Sequence, residues 1–208
     1  MKKFVISILI LLLGSSNALM ADTPETSARV SQTRKVAAFR SIEITSAAEV
    51  WFTQADECTL RIEGAEDNVS NIRSTVDAQG KLVLGFVKEK RTKEGVEIYL
   101  TAPSLDAIEF TGVGSIHLDQ PVRFEDFRFA LQGVGKAYIH DIHCKRLDVH
   151  VQGVGKANIR MECRELKATL NGIGSISLSG QTDYASIQRD GIGSVDTNRL
   201  NIKYARKN

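Results

Sequence analysis

Gly112-Val113-Gly114-Ser115 is written into the chain five times. The later copies are Gly133-Val134-Gly135-Lys136, Gly153-Val154-Gly155-Lys156, Gly172-Ile173-Gly174-Ser175 and Gly191-Ile192-Gly193-Ser194. Their first glycines follow one another at steps of 21, 20, 19 and 19 residues. One signature per period of about 20 residues marks a solenoid. Apolar residues fall at every second position on both sides of the motif. Ile108, Phe110, Ile116 and Leu118 flank the first copy, and Phe129, Leu131, Ala137 and Ile139 repeat the pattern one period on. Such alternation predicts strands with one buried face. The period is too short for a βαβ unit, which needs about 30 residues. The expected architecture is therefore all-β: a parallel, right-handed β-helix-like solenoid, each strand pairing with its copy one coil on.

The ten motif glycines are the structural repeat. A chain running straight through the motif leaves Val113, Val134, Val154, Ile173 and Ile192 facing water. A bend using positive φ, which glycine adopts cheaply, turns them inward and is the favoured reading. The alternative is a real apolar stripe covered by another element or a partner.

Stacked coils also create outward ladders, with equivalent residues about 4.8 Å apart. The residue before each motif is Thr111, Gln132, Gln152, Asn171 and Asp190, and two motifs end in Lys136 and Lys156. Gln132, Gln152 and Asn171 are expected to form an amide ladder. With Lys136, Lys156 and Tyr138 they make the best candidate ligand-binding set, because amides and cations suit hydroxyl-rich or anionic glycans. The plain alternative is a ladder that only satisfies the stack.

Residues 1–21 read as a signal peptide: Lys2 and Lys3, an apolar run from Phe4 to Leu13 too short to span a bilayer, then small residues around Ala18 and Ala21. No later apolar stretch is long enough to cross a membrane, so an exported protein of periplasm or cell surface is expected. Loss of Lys2 and Lys3 takes the formal charge from +2 to 0, which argues against nucleic-acid binding. Residues 22–38 form a polar leader expected to be flexible. Residues 39–104 read as a β-rich cap or degenerate coils, and 105–208 as the repeat solenoid with a C-terminal strand. Within the cap, Glu66 to Val76 carries Val69, Ile72 and Val76 at helical spacing behind a cap at Asp67 or Asn68. Lys88 to Glu94 is a mixed-charge run expected as a hairpin loop.

Cysteine is sparse. Cys144 and Cys163 lie 19 residues apart, close to one coil. They read as a disulfide or as two stacked thiols, and Cys58 leaves an odd count. His140-Asp141-Ile142-His143-Cys144 gathers metal-ligand types, but in one coil only and without a second pair, so no metal site is assigned. Gly-Val-Gly-Lys lacks the earlier glycine and following Ser or Thr of a phosphate loop. Outward carboxylates are scattered rather than paired as glycoside hydrolysis requires. No catalytic residue and no cofactor are expected.

The chain from Phe39 to Leu200 resembles the head GIN domain family of auto-transporter adhesins. The resemblance rests on Phe39-x-x-Ile42-x-Ile44, Leu82-x-Leu84, Val96-x-Ile98-x-Leu100-x-x-Pro103 and the five Gly-[Val/Ile]-Gly repeats. It implies an exported bacterial β-solenoid with a role in adhesion or polysaccharide binding and no catalytic residues to carry over; no translocator barrel is read in the chain. The functional expectation is a non-catalytic binding or adhesion module for a glycan or envelope polymer. One alternative is a structural envelope protein that forms homo-oligomers or binds a partner through its ends or an apolar stripe. A polysaccharide-active enzyme is the second alternative.

Overall fold

The computed structural model describes residues 28–87 and 95–204. The signal-peptide reading and the loop read at Lys88 to Glu94 lie outside them. In chain order the elements are β1 (Arg29–Arg34), β2 (Ser41–Ile44), β3 (Ala47–Gln54), β4 (Thr59–Ala65), α1 (Glu66–Asn71), β5 (Ile72–Val76), β6 (Lys81–Phe86) and β7 (Val96–Ala102). There follow β8 (Ala107–Phe110), β9 (Val113–Leu118), β10 (Val122–Arg123), β11 (Asp126–Leu131), β12 (Val134–Val151), β13 (Val154–Leu170), β14 (Ile173–Arg189) and β15 (Ile192–Ile202).

The protein is a β-solenoid. Strands β9, β12, β13, β14 and β15 pair in parallel with the motifs in register: Gly114 opposite Gly135, then Gly155, Gly174 and Gly193. The unequal repeat lengths are absorbed at one corner. Leu118 pairs with Ile139 and Val122 with Ile142, so the first coil takes four steps where the second takes three. The next two coils take two steps, Ile159 to Met161 and Leu178 to Gly180. This sequence accounts for periods of 21, 20, 19 and 19 residues with the rest of each coil unchanged.

Glycine is required at both motif positions because the backbone of the coil below is too close for a side chain. A Cβ on Gly153 would lie 1.8 Å from the Gly133 carbonyl oxygen, and one on Gly174 1.7 Å from that of Gly155. Gly174 also has φ +151°. The residue between the glycines does not turn inward: Val113, Val134, Val154, Ile173 and Ile192 are 49–73% exposed. The favoured inward bend is thus corrected to an outward apolar stripe, since close stacking keeps the motif extended and the side-chain alternation intact.

Two further coils precede the motifs. Ser46-Ala47-Ala48 takes the place of Gly-Val-Gly, with Ala47 opposite Val113 and Ala48 opposite Gly114. Strands β6 and β7 form the coil beneath, pairing in parallel with β2 and β3. The chain thus lays down one coil, returns beneath it, then passes above it to begin the repeats. That lower coil is closed by antiparallel strands, β4 on β7 and β5 on β6, with β1 outside β4.

Two sequence expectations change here. Residues 29–34 of the polar leader form β1, held because Arg34 reaches across the cap and donates to the carbonyls of Val69, at 2.7 Å, and Ile72. The helix stops at Asn71, and its N-cap is Ala65 rather than Asp67 or Asn68. Ile72 to Val76 instead forms a strand, because β-branched Ile72, Thr75 and Val76 pair against Phe86, Val83 and Leu82.

The core is one column of apolar side chains filling the coils. Phe52, Phe110, Phe127 and Phe129 are fully buried in the wider coils, while Ala137, Ala157 and Ala168 line the narrower ones. Side chains of Leu, Ile or Phe size contribute roughly 1.5–3 kcal/mol each when fully buried. Gly153→Ala, which forces the coils apart, is expected to cost at least about 2 kcal/mol. Its neighbour Val154→Ala, on the outward stripe, is expected to stay within about 0.5 kcal/mol. Urea unfolding of both variants followed by circular dichroism checks the contrast.

Candidate functional site

On the face that follows the Gly-x-Gly corner, side chains repeat outward at three positions of every coil. The first is the Val/Ile stripe. The second runs Glu97, Glu49, Ser115, Lys136, Lys156, Ser175 and Ser194. The third runs Tyr99, Trp51, His117, Tyr138, Asn158, Ser177 and Asp196. A shallow groove of about 620 Å³ lies along them, lined by Trp51, His117, Tyr138, Lys136, Lys156 and the stripe from Val113 to Val154.

The four rings form a continuous stack. Centroids of Tyr99 and Trp51 are 5.0 Å apart, of Trp51 and His117 5.2 Å, and of His117 and Tyr138 5.0 Å, with interplanar angles of 13°, 14° and 23°. These separations follow from ladder spacing, since each ring sits one coil above the last. Arg61 covers the outer face of Tyr99 with its guanidinium carbon 4.0 Å from the ring centroid. His117 Nε2 lies 2.9 Å from Ser115 Oγ. The column ends at Tyr138, whose next neighbour along the stack is exposed Asn158.

Charge changes sign along the second column. Near the capped end Glu97 pairs with Arg29 at 2.6 Å and accepts a hydrogen bond from the Tyr99 hydroxyl at 2.8 Å. The Arg29 guanidinium first, then Tyr99, hold the Glu97 carboxyl below the usual range. Burial and then the bond to Glu97 push the Tyr99 phenol up. Midway stand Lys136 and Lys156, opposite one another in adjacent coils and, among the described residues, without an ion-pair partner.

The structure divides the sequence candidates. Lys136, Lys156 and Tyr138 share the groove. Gln132, Gln152 and Asn171 are exposed on the other side of the corner, use their backbone amides to hold the coil below, and make no side-chain hydrogen bonds to one another. The amide ladder is thus corrected to three solvated side chains. Trp51, Tyr99 and His117 belong to the site but escaped the sequence reading. Their signal is a place five residues after the first motif position, counted from Ser46, Glu94 and Gly112. His117 is half-buried in the stack, and His150 lies 2.9 Å from Asp148.

Elsewhere, Cys144 and Cys163 occupy paired positions as free thiols. Cys163 Sγ lies 3.4 Å from Thr182 Oγ1, and the bond to Cys163, then burial, raises the Cys144 thiol. His143 lies 3.4 Å from both Asp141 and Glu162, and no group of three metal-ligating side chains forms among the described residues. A larger cavity of about 1060 Å³ follows the opposite corner. Charges there are paired across coils: Arg40 with Asp106 at 2.7 Å, and Arg146 Nε with Asp126 at 3.0 Å. Those arginines hold both carboxyls below the usual range.

The model of the family described as "Putative auto-transporter adhesin, head GIN domain" matches residues 38–206. The chain belongs to this family. Three solved structures share the fold. A putative adhesin from Bacteroides fragilis is 22% identical with a TM-score of 0.66, over 85% of this chain and 98% of that one. A putative adhesin from Parabacteroides distasonis is 14% identical with a TM-score of 0.72, over 86% and 77%. A protein of the same organism described as a putative lipid binding protein is 17% identical with a TM-score of 0.68, over 86% and 78%. No curated protein matches. Among the described residues no helix is long and apolar enough to cross a membrane.

The Arg29–Glu97 pair gives the cap a pH dependence with a defined sign. A carboxyl held low in the folded state stabilises above its unfolded value, about 4.3 for glutamate, and loses that contribution as pH falls through its native value. Both side chains are partly exposed, so the contribution is about 0.2–1 kcal/mol. Glu97→Gln is expected to melt about 0.5–4 °C below the parent at pH 7. The difference closes in acid below the native carboxyl value, as read by melting curves across pH.

Proposed function

We propose that this protein is an exported, non-catalytic binding module that holds a glycan or envelope polymer along the groove beside the Gly-x-Gly corner. The observation that carries this reading is the register itself. Outward residues of five consecutive coils stand in three straight columns, offering a repetitive ligand apolar contact at every coil, with cations at Lys136 and Lys156 and rings at His117 and Tyr138. Its family's adhesin description supports a binding role. Among the described residues the carboxylate lining the groove is Glu49, toward the capped end and next on the ladder to Glu97, which is engaged by Arg29 and Tyr99.

A second reading has its own observation. Among the described residues β15 pairs only with β14, so its outer edge offers unpaired backbone groups, and Ile187, Val195 and Leu200 are only partly buried there. Such an edge suits self-association by strand addition. The two are separable. Trp51 is the only tryptophan and sits in the ring column, so its emission reports the groove. Titration of the chain with a glycan panel is expected to change that emission. Combined Lys136→Ala, Tyr138→Ala and Lys156→Ala should abolish the response while circular dichroism is unchanged; paired Gln132→Ala and Gln152→Ala should leave it intact. A silent panel with concentration-dependent light scattering would instead favour association through β15.

A further inference from the structure

Resting on that groove reading, we propose that its ligand is an acidic sugar, its ring seated on the free face of Tyr138 and its anionic group held between Lys136 and Lys156.

Three features meet at this one place. The ring column is closed at one end by Arg61 over Tyr99 and open at the other, beyond Tyr138. Above Tyr138 the column continues as Asn158 and Ser177, both short and polar. A ring laid on Tyr138 therefore takes the next step of the stack at the level of Asn158. A pyranose offers an apolar C–H face to the phenol ring and hydroxyls to Asn158 and Ser177, whereas a longer side chain there would fill the space.

The coil that carries Asn158 also carries Lys156, two residues earlier on the same strand and so about 7 Å along it. Lys136 lies one ladder step below, about 4.8 Å away. Two lysines on adjacent steps of one column repel mildly in water, and an anion lying between their ammonium groups removes that repulsion. Neither has an ion-pair partner among the described residues, although the chain pairs cations across coils elsewhere, as with Arg146 and Asp126. Val134 and Val154, 51% and 49% exposed, form the far wall and suit the C–H edge of a sugar.

A lipid fits less well. The Val/Ile stripe stands on an outward corner, and an acyl chain lying along it would keep one side in water. Ring and cations coincide at Tyr138, Lys136 and Lys156 alone, so the site seats one acidic sugar of a chain.

The test uses the whole chain with three probes: polygalacturonate, its methyl-esterified neutral form, and vesicles of phosphatidylcholine with phosphatidylglycerol. Trp51 emission and calorimetry read binding. The expected result is binding of polygalacturonate at least roughly ten-fold tighter than of the ester. Paired Lys136→Gln and Lys156→Gln should remove that preference, and Tyr138→Ala should weaken binding of both polymers roughly three- to ten-fold. Equal binding of acid and ester overturns the acidic-sugar inference and leaves the glycan module standing. Failure of both polymers, and of neutral glycans generally, sinks the module itself. Acid binding that survives Tyr138→Ala with undiminished affinity overturns the ring seat, leaving general attraction between charges. Vesicle binding without polymer binding overturns the inference in favour of a lipid.

Discussion

The structure depends on how closely one coil lies on the next at the Gly-x-Gly corner. A carbonyl oxygen of each coil occupies the place where a Cβ of the coil above would sit, 1.8 Å away at Gly153 and 2.0 Å at Gly172. With no side chain in between, backbone amides still bond the coil below across the corner, as Gln152 N does to Leu131 O and Val154 N to Gly133 O, while the strands break at the first glycine. Strands β12, β13 and β14, of 18, 17 and 17 residues, run from one such corner to the next and turn in between without a loop. The same contact pins the register. Length differences between repeats are confined to the corner between Leu118 and Val122 and its successors. A residue gained or lost there leaves the outward columns in line.

Register converts a one-dimensional repeat into a surface. A residue type that recurs in sequence becomes a column about 4.8 Å in step, and a residue that does not recur becomes a landmark on that column. Chemical variety on this face comes from the landmarks. Tyr99, Trp51 and His117 come from three coils of unlike sequence, yet stack because they occupy one position. Lys136 and Lys156 are the only basic members of a column that begins with acids and ends with serines.

Much of this was legible in the chain. The five motifs gave the period, and alternation gave the inward residues: Phe129, Leu131, Val149, Val151, Ala168 and Leu170 are all fully buried. What escaped has identifiable causes. The first two coils lack the glycines, because Ser46-Ala47-Ala48 and the stretch through Gly95 stand in their place. Their aromatic residues could not be assigned to a column before the register was seen. The order of the lower coils inverts chain order, which no periodicity encodes. The Val/Ile stripe was read as turning inward because burial of β-branched residues is the usual rule. Here close backbone contact at the flanking glycines outweighs five exposed side chains. Helical spacing at Val69, Ile72 and Val76 was genuine, but Ile72 and Val76 pair with a neighbouring strand, and tertiary pairing decided the case.

The two ends of the stack are unequal, and this bears on how both functional readings fit one molecule. At the lower end the antiparallel strands finish in β1 and β5, each paired on one side, with α1 and Arg34 across them and Val69 and Ile72 buried. At the upper end β15 is paired on one side, and Tyr204 stacks on Tyr184 at 5.3 Å without closing the coil. The groove runs along the side, between Glu49 and Lys156, and is centred several coils below that open edge. Binding a polymer and pairing at β15 therefore draw on different residues and do not compete for space. A module with one modest groove gains most from a second copy presented to the same polymer, since linked sites raise avidity without new contacts. An open end away from the groove is the arrangement that permits this.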